Sequence, residues 1–438
     1  MLLLLPLRNA GPDSFVPVTC ELWSRGERRR RATKLRFWVM LSGMALVVAA
    51  CGAATVAGDP PGDIGDSAVS TGASTPSNAK TETGVFPDGP SALVDRFDES
   101  FPEPLIDPRD ILSGGPPPDG IPPIDDPKFV TVAKADDWLN DPEPVMVVDI
   151  GGDVRAYPIQ ILMWHEIVND TVGGVPLVVT YCPLCNTALA FERTVLGTET
   201  TFGTSGSLYF ANLVMYDRAT ESLWNQFDGR AVVGVLTGEI LVPVPASMVA
   251  WAEFKKARPD AQVLDRERTG ANRPYGTNPY TGLDDPDGQP FLFRGDIDVR
   301  AKAMQRVVAI DTKTEAVAWS LDGLLGGEAA VTHAEIDGDP LVIFWKAGQS
   351  SALDQADIAS GRDVGTVGVF SSVLDGQQLA FQAEGDGFVD EQTGTTWNVL
   401  GDATDGPLAG STLEPITFVR TFWFVWAAFQ PDTILIEG

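Results

Sequence analysis

The chain has 438 residues, 44% of them hydrophobic, and only four cysteines, so it can build a sizeable core and two or three average domains without disulfide stapling. Its formal net charge of −29, from 60 acidic against 31 basic side chains, excludes a nucleic-acid binder, because phosphate binding needs a basic footprint. The acidity reads instead as a solvated surface.

Basic residues gather near the N-terminus. Arg28, Arg29, Arg30, Arg31, Lys34 and Arg36 precede an apolar run over residues 37–50, which ends Val48-Ala49-Ala50-Cys51. Basic residues, a 14-residue apolar run and small residues before a cysteine predict a secretory signal over residues 1–50. The run falls short of the roughly 20 residues that a membrane span needs. Its last four residues resemble the lipobox of bacterial lipoproteins. That implies lipidation at Cys51, an extracytoplasmic chain anchored to the cell membrane, and the membrane surface as a partner. The stretch before Arg28 is long for such a signal.

Residues 51–128 read as a lipid-anchored flexible tether followed by a proline-rich arm. Residues 52–88 are rich in Gly, Ala, Ser, Thr and Pro, and prolines are dense from 102 to 127. The arm is expected to lie extended across the domain, touching it through Phe101, Leu105 and Ile121. Periodic structure begins near Phe129. Residues 145–150 and 154–159 flank Gly151-Gly152-Asp153 and predict a hairpin. Residues 161–168 suit a short helix. Further strands are expected over 175–181, 188–193, 200–204, 213–217, 223–226 and 231–234. Residues 247–257 place Val249, Ala250, Trp251, Phe254 and Ala257 at helical spacing. Strands far outnumber helices, so the class is α+β with β dominant.

Segments match one another across the chain. Val147-Val148-Asp149 with Ala156-Tyr157 returns 162 residues later as Ala309-Ile310-Asp311 with Ala318-Trp319. Residues 176–181 return 164 residues later as 340–345, and 217–225 match 390–398, each ending Trp-Asn. Trp251, Phe254, Pro259 and Asp260 map at an offset of 172 onto Trp423, Trp426, Pro431 and Asp432. This predicts two tandem, internally duplicated, mostly antiparallel β units, each closing with a helix. The first, over 129–264, carries the cysteine pair; the second, over 305–438, lacks it; residues 265–304 connect them. At the 164-residue offset Cys182 and Cys185 face Lys346 and Gln349, and Thr187-Ala188-Leu189 faces Ser351-Ala352-Leu353. The unit therefore folds without thiols.

Cys182-Pro183-Leu184-Cys185 ends the apolar run that begins at Pro176. A C-x-x-C turn holds two thiols close enough to form and exchange a disulfide. Free N–H groups after such a turn favour a thiolate. A structural staple across four residues would contribute only about 2 kcal/mol, so the small loop reads as an exchangeable pair. One Cys attacks as thiolate and the other resolves the mixed disulfide, with His165 as assisting base and a redox partner protein as counterpart. No cofactor is needed for that reading. The alternative is a copper or zinc site formed by Cys182, Cys185 and His165, with Met163 or Met215 as a soft additional ligand for Cu(I). His333 is a weaker candidate. A third reading is a non-catalytic binding or scaffold lipoprotein. Asp284-Asp285-Pro286-Asp287-Gly288 lacks the spacing of a calcium loop and reads as a polar turn.

The run from Val179 through Cys182-Pro183-Leu184-Cys185-Asn186 to Phe191 resembles the signature of the bacterial and archaeal family catalogued as domain of unknown function 3179. So do Phe202-Gly203-Thr204-Ser205-Gly206, Asn212-Leu213-Val214-Met215-Tyr216-Asp217-Arg218, Leu223-Trp224-Asn225-Gln226 and Tyr275-Gly276-Thr277-Asn278-Pro279-Tyr280. The likeness covers most of residues 125–438. Where family members usually carry Gly after the second Cys, this chain has Asn186. The family includes selenoproteins, which implies a chalcogen redox role at the Cys-motif position, but no activity is assigned to it.

Overall fold

The structure, a computed structural model, describes residues 89–312, 314–324 and 327–437. The expected signal, Cys51 and the tether lie outside the described residues.

Strands Pro144–Ile150 and Asp153–Pro158 form the anticipated hairpin. Gly151 and Gly152 between them sit at φ 59° and 88°, the left-handed pair that a two-residue turn between twisted strands requires. The sheet continues on one side with Ala246–Ala250 and on the other with Gln262–Leu264 and then Phe129–Thr131. Gln262–Leu264 runs parallel to Asp153–Pro158, and the chain reaches it through the helix Trp251–Ala257. A second sheet orders Ile167–Val172, Val175–Cys182, Thr187–Glu192 and Pro243–Val244 as antiparallel neighbours. A third joins Leu112–Ser113 of the arm to Phe202–Tyr209, Asn212–Asp217, Leu223–Asn225 and Ala231–Val233.

One sheet of the second half has the order of the first sheet, without a counterpart of Phe129–Thr131. Val419–Phe422, Arg306–Asp311, Ala316–Ser320 and Ile434–Ile436 form a sheet whose last strand is again parallel and again follows a helix, Trp423–Phe429. Val147 pairs with Ala156, and Ala309 pairs with Ala318. Trp224 donates its indole N–H to Asp217 at 3.0 Å, and Trp397 does the same to Asp390 at 3.0 Å.

Three expectations need correction. Residues 247–250 are strand, not helix, and the helix starts only at Trp251. Pairing of Met248 and Val249 with Met146 and Val145 overrides the helical stripe. Thr187 does not correspond to Ser351. The partner of Asp339–Lys346 is Thr366–Ser371, so residues 347–365 form an excursion where the first half has a four-residue turn. Of the arm's three contacts, Leu105 is exposed, whereas Ile124 is buried and bridges to Val168.

The largest apolar cluster crosses both halves: Cys182, Cys185, Phe202 and Trp224 share it with Val307, Phe422 and Trp426. The thiol turn thus lies inside the core, at the junction of the halves.

Candidate active site

Cys182 is the last residue of its strand and is paired across from Thr187, which leaves Pro183, Leu184, Cys185 and Asn186 as the turn. The Asn186 N–H closes it onto the Pro183 carbonyl at 3.2 Å. Asn186 sits at φ 54°, in the left-handed region that Asn tolerates better than most side chains. Its Oδ1 accepts from the Tyr181 hydroxyl at 3.2 Å.

Both cysteines are free thiols, 1% and 0% exposed. Their surroundings differ. Cys185 Sγ lies 3.1 Å from Asn212 Nδ2 and 2.9 Å from Thr187 Oγ1. Each sulfur also meets a backbone carbonyl at 3.7 Å, Cys182 Sγ that of Ala211 and Cys185 Sγ that of Cys182, but neither Asn212 nor Thr187 reaches Cys182. Gln226 organises the donors. Its Oε1 accepts from Asn212 Nδ2 at 2.7 Å and Thr187 Oγ1 at 2.9 Å, and its Nε2 donates to Thr180 Oγ1 at 2.9 Å. Asn212 Oδ1 accepts from the Phe227 N–H at 3.0 Å, which fixes the amide orientation. The Thr187 hydroxyl has one proton. Facing a thiol it serves Gln226; facing a thiolate it can turn to Cys185 while Asn212 keeps Gln226 Oε1 satisfied.

Burial raises the Cys185 thiol, but hydrogen bonds from Cys182, Thr187 and Asn212 outweigh it and bring the group below the ordinary thiol range. Cys182 is held well above that range by burial, by its bond to Cys185, and by the charges of Cys185 and Glu166. The pair is therefore polarised, with Cys185 the more readily ionised of the two sulfurs. Glu166 ends the helix Ile159–His165 at φ 59°. Burial pushes its carboxyl up to about 8. Tyr280, from the connector, is raised by burial and by the same neighbours, Glu166 and Cys182. From the second half, Thr421 Oγ1 donates to the Cys185 carbonyl at 2.8 Å.

The structure brings Cys182 and Cys185 together but does not hydrogen-bond His165 to either. His165 Nδ1 lies 2.7 Å from the Pro122 carbonyl and Nε2 lies 2.7 Å from the Tyr275 hydroxyl, so the ring ties the arm to the connector. The expected assistance from His165 has no hydrogen bond behind it. Among the described residues, no group of three or more His, Cys, Asp and Glu side chains is placed to hold a metal ion. His333 belongs to another sheet, where Nε2 accepts from the Phe381 N–H at 2.9 Å.

A family model described as Protein of unknown function (DUF3179) matches residues 118–433, most of the chain. The chain belongs to the DUF3179 family. No curated protein and no solved structure matches it. In this DUF3179 chain the residues that sequence reasoning passed over are Glu166, Thr187, Asn212 and Gln226. Asn212 opens one of the motif runs and Gln226 closes another, so position at the motif edges was the available signal. The acidic run from Asp284 to Gly288 forms turns, as expected, but Asp284 itself is buried. Within its acidic run it is 0% exposed and paired to Arg306 at 2.7 Å and Arg362 at 2.9 Å.

Proposed function

We propose that this protein is an extracytoplasmic dithiol redox protein, tethered at the outer face of a membrane through Cys51. The reading is carried by the unequal environment of two adjacent sulfurs: the Asn212 and Thr187 side chains meet Cys185, and neither meets Cys182. The Cys185 thiolate attacks one sulfur of a substrate disulfide; that S–S bond breaks and a substrate thiolate leaves. Cys182 gives its proton to the substrate thiolate just released and attacks Cys185 Sγ of the mixed disulfide, so the second substrate thiolate leaves. The substrate disulfide is reduced and Cys182–Cys185 is oxidised, and the same steps reversed oxidise a dithiol. Because both sulfurs are buried, exchange requires opening of the turn or its cover, which favours a small disulfide over a folded partner at first encounter. The lipobox-like run ending at Cys51 supports the location.

The test is a redox titration of the purified protein with oxidised and reduced glutathione, read by alkylation and mass. A potential of roughly −270 to −120 mV, and a mixed disulfide trapped by Cys182→Ser, support the proposal. A potential below about −300 mV, or labelling that ignores reductant, refutes it.

A further inference from the structure

Away from the sulfurs, a cleft of about 470 Å³ opens between the helix Ile159–His165, the connector and residues 138–143. That volume suits a small organic molecule. Its polar floor is unusual. Glu143 is 2% exposed and forms no ion pair among the described residues, although a buried carboxylate normally needs a counter-charge. Its Oε1 accepts from Asn140 N–H at 3.0 Å and Asn140 Nδ2 at 2.8 Å; its Oε2 accepts from Gln160 Nε2 at 2.6 Å. The last bond fixes the Gln160 amide, because turning it would set oxygen against oxygen. Gln160 Oε1 is then left buried without a partner, 1% exposed, facing Gly276 on the cleft wall. Gly276 has φ 87°, so no side chain is readily accommodated there to fill the space in front of that oxygen. Burial, followed by the charge of Asp357 on the cleft wall, raises the Glu143 carboxyl.

The aromatic wall can also take a cation. Arg266 lies over the Trp138 ring, 4.8 Å from its centroid, and forms no ion pair among the described residues. This ring face already receives a cation.

We infer that the cleft binds a small organic molecule through a primary ammonium group, held by the Glu143 carboxylate and Gln160 Oε1 against the Trp138 wall. The ammonium supplies the counter-charge of one group and the missing donor of the other. The inference is independent of the sulfurs and of the redox reading.

The test is calorimetry on the purified full chain with butylamine, 1-butanol and butyrate as matched probes, alongside NMR of the Trp138 indole N–H. Butylamine is expected to bind and shift the indole signal, and the alcohol and the acid are not. Glu143→Gln and Gln160→Leu should each weaken butylamine at least about tenfold, since each removes a hydrogen bond to a charged group. Arg266→Ala should strengthen it, by removing a like charge and freeing the ring. Butanol binding as well as butylamine, or unchanged affinity in Glu143→Gln and Gln160→Leu variants that retain the parental Tm, would overturn the inference.

Discussion

Replacing Thr187 by Val keeps the shape of the side chain and removes one hydroxyl, 2.9 Å from Cys185 Sγ. A hydrogen bond to a charged group contributes about 1.5–3 kcal/mol. If that bond favours the thiolate, its loss lowers the thiolate-to-thiol ratio at fixed pH by about 10- to 150-fold, at 1.36 kcal/mol per factor of ten. Part of this is returned, because Gln226 Oε1 still accepts from Asn212 Nδ2. The lower end of the range is therefore the expected result. The assay is ultraviolet thiolate absorbance against pH in the Cys182→Ser background, a readout that requires no access to the buried sulfur. Thr187→Val should displace the titration to higher pH, and Thr187→Ser should restore it. A Thr187→Val curve lying on the parental one would refute the assignment of Cys185 as the thiolate.

Other expectations follow from the same structure. Glu166 holds its proton to about 8 when folded, against an ordinary 4.5, so stability should fall as pH rises between those values, by about 5 kcal/mol at most. Glu166→Gln should remove that slope from a series of Tm measurements against pH. Asp217→Ala leaves the N–H groups of Thr220 and Ser222, the Thr220 hydroxyl and the Trp224 indole without their acceptor. Urea unfolding should show a loss of about 3–5 kcal/mol. Asp390→Ala should cost a similar amount, because Thr393, Thr395 and Trp397 make the equivalent bonds. Arg258 joins the halves through two bonds to Asp402, at 2.6 and 2.9 Å. Arg258→Lys keeps the charge but not the fork, and should lower stability by about 1 kcal/mol in the same assay.

Strand content, the first hairpin and the position of the thiol turn were legible because each rests on local signals: alternation, a Gly-Gly turn, and a Pro within a C-x-x-C. The strand at residues 246–250 was not legible, because its apolar spacing fits a helix and only its partner, Pro144–Ile150, decides otherwise. The same limit hid the excursion over residues 347–365, where a constant offset suggested Ser351 and the ladder selected Thr366. At the site, the sulfurs could be named from sequence, but their unequal surroundings could not. Asn212 lies 27 residues from Cys185, and Gln226 lies 39 from Thr187. His165 drew attention as a titratable group near the motif; its neighbour Glu166 is the one placed beside Cys182, because the chain reverses direction at that residue's left-handed backbone.

The bond from Thr421 to the Cys185 carbonyl reaches across 236 residues of sequence. A fragment ending at the connector would keep both sulfurs and lose the latch on their turn, along with Phe422 and Trp426 from the surrounding core. The thiol half is consequently not a portable module. Its chemistry belongs to the whole chain, and work on an isolated N-terminal piece would describe a different molecule.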